Sequence, residues 1–255
     1  MLKTNTKCVK MEMVSTLAFA FLAGAMTLLG GIILRTAGAG RRTMQFSLTA
    51  TTGIVVSVLL LGMLDASVSL HSSLLASFAF LGGGLLMLLC GYAFPHTYTA
   101  EKYEDRLYSL LKTGTLVMTG IILYNIPAGL AVAAASSFSF WLGAVVFIAV
   151  SLQNISRGFA IDDPLTHMGM ESRKRLIVML LSAVPALVGG LIGYFMLSSS
   201  PQIMLSGLMA FSAGAYGFVC IDQLIPLIKG YSRRRETAAA LFTGLFVGIL
   251  LLGLV

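Results

Sequence analysis

Long apolar runs alternate with short polar links along this chain, and the lengths of the runs set the elements. A helix needs ~20 apolar residues to cross the ~30 Å of hydrocarbon in a bilayer. Eight stretches reach that length: 13–34, 45–64, 74–94, 113–136, 141–166, 176–197, 203–226 and 237–255. They predict an all-α integral membrane protein, one polytopic domain over 1–255 with eight transmembrane helices. The first run follows Lys3, Lys7 and Lys10 but exceeds the ~7–15 apolar residues of a signal peptide, so it is expected to stay as a helix.

The links set the expected boundaries. The first span ends at Arg35 and the turn Gly38-Ala39-Gly40-Arg41-Arg42, the second near Asp65, and a short polar link through His71 leads to the third. Pro95-His96 closes the third, because a proline ring removes a donor and clashes with the preceding turn. Spans four and five are separated only by 136–140, which makes them antiparallel neighbours, and span five is expected to bend at Pro164.

Two polar patches interrupt the apolar pattern in those neighbouring spans. They read Tyr124-Asn125-Ile126-Pro127-Ala128-Gly129 and Gln153-Asn154-Ile155-Ser156-Arg157-Gly158, with the same internal order: polar, Asn, apolar, and Gly to close. Paired interruptions of this kind in corresponding hydrophobic segments point to a substrate site near the bilayer midplane, built on broken helices. Spans four and five are therefore expected to be broken at these patches and to form one central site.

Composition agrees with a membrane location. Of the 255 residues 57% are hydrophobic and 11% charged, with mean hydropathy +0.92, whereas a soluble domain carries about 25% charged residues. The net charge of +7 does not indicate nucleic-acid binding, because thirteen of the 17 Lys and Arg lie in the four links after spans one, three, five and seven. By the positive-inside rule those links are cytoplasmic and both termini extracytoplasmic, in a multi-pass protein of the cell membrane. The bilayer is the one partner that composition implies, and a homodimer is left open. Cys8, Cys90 and Cys220 have no metal-ligand spacing and read as packing, as do the 14 Met. No Ser/His, paired-Asp or His–metal constellation lies within a span, so enzyme chemistry and a resident cofactor are not expected.

Arg157 is the basic residue left in mid-span. An Arg deep in a transmembrane helix costs about 2.5–3.5 kcal/mol on insertion scales, so it faces the interior or snorkels to the interface. Either it reaches the cytoplasmic face past Asp162 and Asp163, or it stays central and donates to Asn125, Gln153 or Tyr124, with Asp222 as a charge partner. Asp65, at the expected outer end of span two, reads as an entrance residue or as a helix terminator.

The stretch 124–129 resembles the span-four motif His-Asn-x-Pro-Glu-Gly of the ZIP (Zrt-, Irt-like protein) metal transporters, and 153–158 resembles its span-five copy. Leu180-Leu181-Ser182-Ala183-Val184-Pro185-Ala186-Leu187 is similar to the family's Ser-Gly-x-x-Glu-Pro, Asp222-Gln223-Leu224-Ile225-Pro226 to its span-seven ending, and Phe94-Pro95-His96 to its span-three ending. The resemblance implies the ZIP fold and a permease for divalent cations, zinc by family default, with the cation as substrate. It also marks what is replaced. The histidine positions are Tyr124 and Gln153, the glutamate positions Ala128, Arg157 and Val184, and Gln223 and Leu227 stand for span-seven acids.

The surviving donors, Asn125, Gln153 and Asn154, offer neutral amide oxygens, whereas zinc takes about four His, Cys or carboxylate ligands. A unit cation ~4 Å from a dication repels it by roughly 8 kcal/mol at an effective dielectric of about 20. Three readings follow: a divalent-metal permease with most ligands replaced; a transport-silent relative acting as a membrane interaction or regulatory partner; and a permease for an anionic substrate held by Arg157.

Overall fold

Each long apolar run becomes a helix, since in lipid every backbone N–H and C=O must be satisfied within the segment. The computed structural model describes residues 2–37, 41–93, 106–167, 169–197, 201–229 and 234–255, and all the secondary structure among them is helical. In chain order these are α1 (Leu2–Ala37), α2 (Arg41–Ser57), a π-helical stretch (Val58–Leu64), α3 (Asp65–Leu70), α4 (Ser73–Ala93) and α5 (Arg106–Phe138). There follow α6 (Phe140–His167), α7 (Ser172–Leu181), α8 (Ala183–Leu197), α9 (Gln202–Lys229) and α10 (Arg234–Leu252). Among the described residues seven helical stretches are long and apolar enough to cross a membrane. The eighth span falls on α5, whose 33 residues measure ~50 Å and whose described apolar part is Asn125–Phe138.

Several expected boundaries move. The second span does not stop near Asp65: the backbone stays helical through Val58–Leu64 and Asp65–Leu70, and the Asp65 N–H donates to the Gly62 carbonyl. Asp65 is thus an exposed residue within a continuous rod rather than its terminator. The two polar patches do not break their helices either. α5 carries Pro127 in its interior and continues to Phe138, and α6 runs without interruption through 153–158, and through Pro164 to His167. The physical reason appears in the side chains: the patch residues are satisfied by neighbouring helices, so the backbone keeps its own ladder.

The break falls instead in the sixth span, at Ser182 between α7 and α8. Pro185 follows three residues later, and an interior proline clashes with the carbonyl four residues before it, here that of Leu181. Ser182 Oγ covers the gap by donating to the carbonyls of Met179 at 2.6 Å and Gly24 at 3.1 Å. The span-three ending Pro95-His96 and the long link after it lie outside the described residues.

Helix pairing follows an exchange rule. α1 packs most extensively on α6 as α8 does on α5, and α4 packs on α9 as α10 does on α2. α5 and α6 also meet each other, as do α1 and α8. Exchanging the first three spans for the last three, and α5 for α6, maps each pairing onto another. Since successive spans alternate in direction, the exchanged spans are antiparallel, which makes this an inverted repeat. The patches sit at equivalent places in it. A Cβ on Gly129 would overlap the Ala186 carbonyl of α8, and one on Gly158 would overlap the Thr27 carbonyl of α1. Only glycine allows these backbones to approach so closely, which explains why each patch closes with it. On one side of the bundle Arg42 grips Glu236 with two hydrogen bonds, 2.8 and 3.1 Å, tying the starts of α2 and α10 together.

Candidate functional site

The two patches converge in the middle of the bundle. Asn125, Gln153, Asn154 and Ser156 are fully buried and Arg157 is 3% exposed. On a helix, residues three and four apart share a face, so Gln153, Asn154 and Arg157 form one polar turn of α6, turned toward α5 and its Asn125.

Arg157 is the hub. Its Nη1 donates to Asn154 Oδ1 at 2.8 Å on the same helix and reaches Asn125 Oδ1 on α5 at 3.4 Å. Asn154 in turn donates through Nδ2 to the Ala23 carbonyl of α1 at 2.7 Å. The guanidinium is thus held by the Asn of each patch, and the second Asn is fixed by a third helix. Of the two readings of Arg157, snorkelling past Asp162 and Asp163 meets a different arrangement: Asp162 pairs at 3.0 Å with Arg175 from α7, both side chains being largely buried. Arg175 also donates to the Met170 carbonyl at 3.0 Å.

Gln153 belongs to a second part of the site, one not anticipated from sequence. Tyr216 on α9 donates its phenol to Gln153 Oε1 at 2.5 Å, and Cys220 Sγ lies 3.3 Å from Gln153 Nε2. Both α9 residues are fully buried. Cys220, read as packing, is therefore a polar neighbour of the site. The signal that was available is the four-residue spacing of Tyr216 and Cys220, which puts two hydrogen-bonding groups on one face of the helix.

The other expected site residues divide. Pro127 and Ala128 are buried beside Asn125, while the side chain of Tyr124 lies outside the described set. Val184 does not join them: it is 50% exposed, because the face of α8 that turns inward carries Ala183, Ala186, Gly189, Gly190 and Gly193. One step along a helix is a rotation of about 100°, enough to aim Val184 outward. Asp222 is half-buried and follows Cys220 by two residues, about 200° round α9 from it. Asp65 is exposed and apart from the site. The side chains of Gln223 and Leu227 lie outside the described residues.

The donors that converge are therefore three amides, a phenol, a thiol and a guanidinium. Among the described residues no group of three or more His, Cys, Asp or Glu comes together. Zinc generally takes four ligands drawn from imidazole, thiolate and carboxylate; of these the converging set holds the Cys220 thiol.

An inverted-repeat helical bundle with a buried polar site on its two central helices is the architecture of a membrane transporter. The family described as ZIP Zinc transporter matches residues 93–255, and the chain belongs to that family. Among its relatives is the zinc transporter ZupT of Shigella dysenteriae serotype 1 (strain Sd197), 28% identical over 240 residues that cover 91% of this chain and 93% of the relative. The ZupT proteins of Salmonella heidelberg (strain SL476) and Escherichia coli O127:H6 (strain E2348/69 / EPEC) are also 28% identical, over 248 and 240 residues.

Proposed function

We propose that this chain keeps the permease architecture of a divalent-metal transporter but has the guanidinium of Arg157 in place of the metal at its mid-membrane station, so that zinc does not rest there and the protein is transport-silent. The observation that carries this reading is the seating of Arg157, 3% exposed, with Nη1 on Asn154 at 2.8 Å and on Asn125 at 3.4 Å. A tethered cation in that position does electrostatically what a bound metal does for the two Asn carbonyls, and it repels an arriving dication. If Arg157 swung away, it would uncover neutral amides with Tyr216 and Cys220, and among the described residues no group of three or more His, Cys, Asp or Glu. The role left to such a protein is that of an interaction or regulatory partner in the membrane.

The permease reading has support of its own, since the relatives named zinc transporters align along 91% or more of the chain. Under it, metal passes only while Arg157 is displaced. Zinc uptake into reconstituted vesicles separates the two. Transport silence predicts no uptake above protein-free vesicles for the wild type, and a gain for the triple variant Tyr124→His, Ala128→Glu, Arg157→Glu. Saturable uptake by the wild type that is lost in Asn125→Ala would establish the permease reading and overturn the first.

A further inference from the structure

The turn between α5 and α6 presents a cluster of aromatic rings that the central site does not use. Phe138 ends α5, Phe140 and Trp141 begin α6, and Trp141, the single tryptophan of the chain, is 64% exposed. The turn is held tightly: Ser139 Oγ accepts from the Leu142 N–H at 3.1 Å, and a Cβ on Gly143 would overlap Ser136. The rings are paired as well. Phe140 stands edge-on to Trp141 with centroids 5.7 Å apart, and 6.0 Å from Phe19 of α1. On α8, Tyr194 and Phe195 make a second edge-on pair at 5.7 Å, and Phe195 is 68% exposed.

Helix rise gives the height of each ring. The axis of an inverted repeat lies in the membrane plane, and here it exchanges Asn125 with Asn154, so the Asn pair marks its level. Phe138 follows Asn125 by thirteen residues and Trp141 precedes Asn154 by thirteen, which puts both ~20 Å from the Asn level on the same side. The close contacts of Gly129 with Ala186 and of Gly189 with Ile126 set Gly189 level with Gly129. Tyr194 and Phe195 therefore lie ~15 Å from the Asn level on that side. The hydrocarbon of a bilayer ends ~15 Å from its midplane and the headgroups at ~20–22 Å. With the Asn pair at the midplane, both groups of rings fall in the interfacial layer.

The repeat supplies a second observation. The exchange of Asn154 for Asn125 carries Trp141 onto Lys112, and that of Gly189 for Gly30 carries Tyr194 onto Arg35. At the same distance toward the opposite face, then, the chain has basic residues. Trp and Tyr on one side with Lys and Arg on the other are the residues that fix a span against a membrane–water interface. Indole and phenol each join a flat apolar ring to one hydrogen-bonding group, which suits a layer apolar on one side and wet on the other. We propose that Phe138, Phe140, Trp141, Tyr194 and Phe195 form a contact surface for the phospholipid headgroup–carbonyl layer beside the α5–α6 turn. This contact registers the station of Asn125, Asn154 and Arg157 at the bilayer midplane. The inference does not depend on whether the station carries metal.

The test reads the fluorescence of Trp141 in the full chain, reconstituted in phosphatidylcholine vesicles. The vesicles carry a phospholipid with a spin label either near the top of the acyl chain or near its end, and iodide serves as the quencher in water. The wild type should be quenched more strongly by the shallow label than by the deep one. A second reporter tests the registration. The contacts of Gly30 with Ile155 and of Gly158 with Thr27 set Gly30 level with Gly158, so Leu29, 42% exposed on α1, lies level with Arg157. In Trp141→Phe, Leu29→Trp the order should reverse, the deep label quenching more. Should that variant fail to fold, Trp141→Phe, Phe21→Trp, with the new ring ~8 Å from the Asn level on the same helix, should give the same reversal. Stronger quenching of the wild type by the deep label would overturn the proposal. So would quenching by iodide alone, which places the ring in water, or by none of the three, which places it under protein. A folded second reporter that keeps the wild-type order would overturn the registration at the midplane.

Discussion

Arg157 Nη1 stands 2.8 Å from Asn154 Oδ1, one turn back on the same helix, and Asn154 Nδ2 reaches across to the Ala23 carbonyl of α1 at 2.7 Å. The amide thus works in two directions, its oxygen holding the cation and its nitrogen holding the neighbouring span. This pairing fixes which atom faces the guanidinium, and it shows why an Asn, with one acceptor and one donor end, suits the place.

Asn154→Leu should therefore lower stability by more than a lost packing contact would, because it strips an acceptor from a buried charge. Hydrogen bonds to charged groups are worth about 1.5–3 kcal/mol. The measurement is thermal unfolding in detergent, and Asn154→Asp should be tolerated better, since it gives Arg157 a carboxylate. Equal melting temperatures for Asn154→Leu and the wild type would contradict the arrangement.

Tyr216 and Cys220 make unequal contributions to Gln153. Tyr216→Phe leaves the buried Gln153 Oε1 without its phenol donor, at a cost of ~1–3 kcal/mol. Cys220→Ser keeps a group able to donate and accept, and its cost should be clearly smaller. The same unfolding measurement ranks the two.

The close approach of glycines yields a contrast that needs no site chemistry. Gly129→Ala drives a methyl group into the Ala186 carbonyl between α5 and α8, whereas in Gly84→Ala the methyl makes only an ordinary contact, 3.7 Å from the Gly214 carbonyl. Overpacking typically costs 1–3 kcal/mol, so the first should unfold at markedly lower temperature and the second should match the wild type. Similar melting points for both would mean that α5 and α8 pack less closely than described.

Near the end of α6, Asp162 and Arg175 form a largely buried ion pair. Removing one partner of such a pair costs about 3–5 kcal/mol, whereas replacing both with apolar residues can be neutral. Asp162→Leu alone should thus be much less stable than Asp162→Leu, Arg175→Leu, a double-mutant comparison read by denaturant unfolding.

What the sequence disclosed, and what it did not, follows from the range of the forces involved. Spans are legible because burial in lipid acts on ~20 residues at once, and Asn125, Asn154 and Arg157 stood out as polar side chains in apolar runs. Continuity through the patches was not legible, because it depends on acceptors such as the Ala23 carbonyl, far away along the chain. The register of Val184 was missed because a motif comparison places residues along a line, while the helix turns ~100° at each step. The π-helical stretch Val58–Leu64 has no marker residue in an ordinary apolar run.

The thirteen clustered basic residues predict that the links carrying them face the cytoplasm. Single cysteines placed beside Arg42 and Arg235, in a background without Cys8, Cys90 and Cys220, should resist an impermeant thiol reagent in intact cells and react once the membrane is opened. Reaction of both from outside would reverse the orientation.

The central claim, that Arg157 stands where a metal would, is tested most directly by zinc calorimetry on purified wild type, Arg157→Ala and the triple variant Tyr124→His, Ala128→Glu, Arg157→Glu. The account predicts no zinc binding at this site in the wild type, none that is tight in Arg157→Ala because donors remain too few, and a gain in the triple variant. Tight, stoichiometric zinc in the wild type that disappears in Asn125→Ala or Gln153→Ala would contradict it.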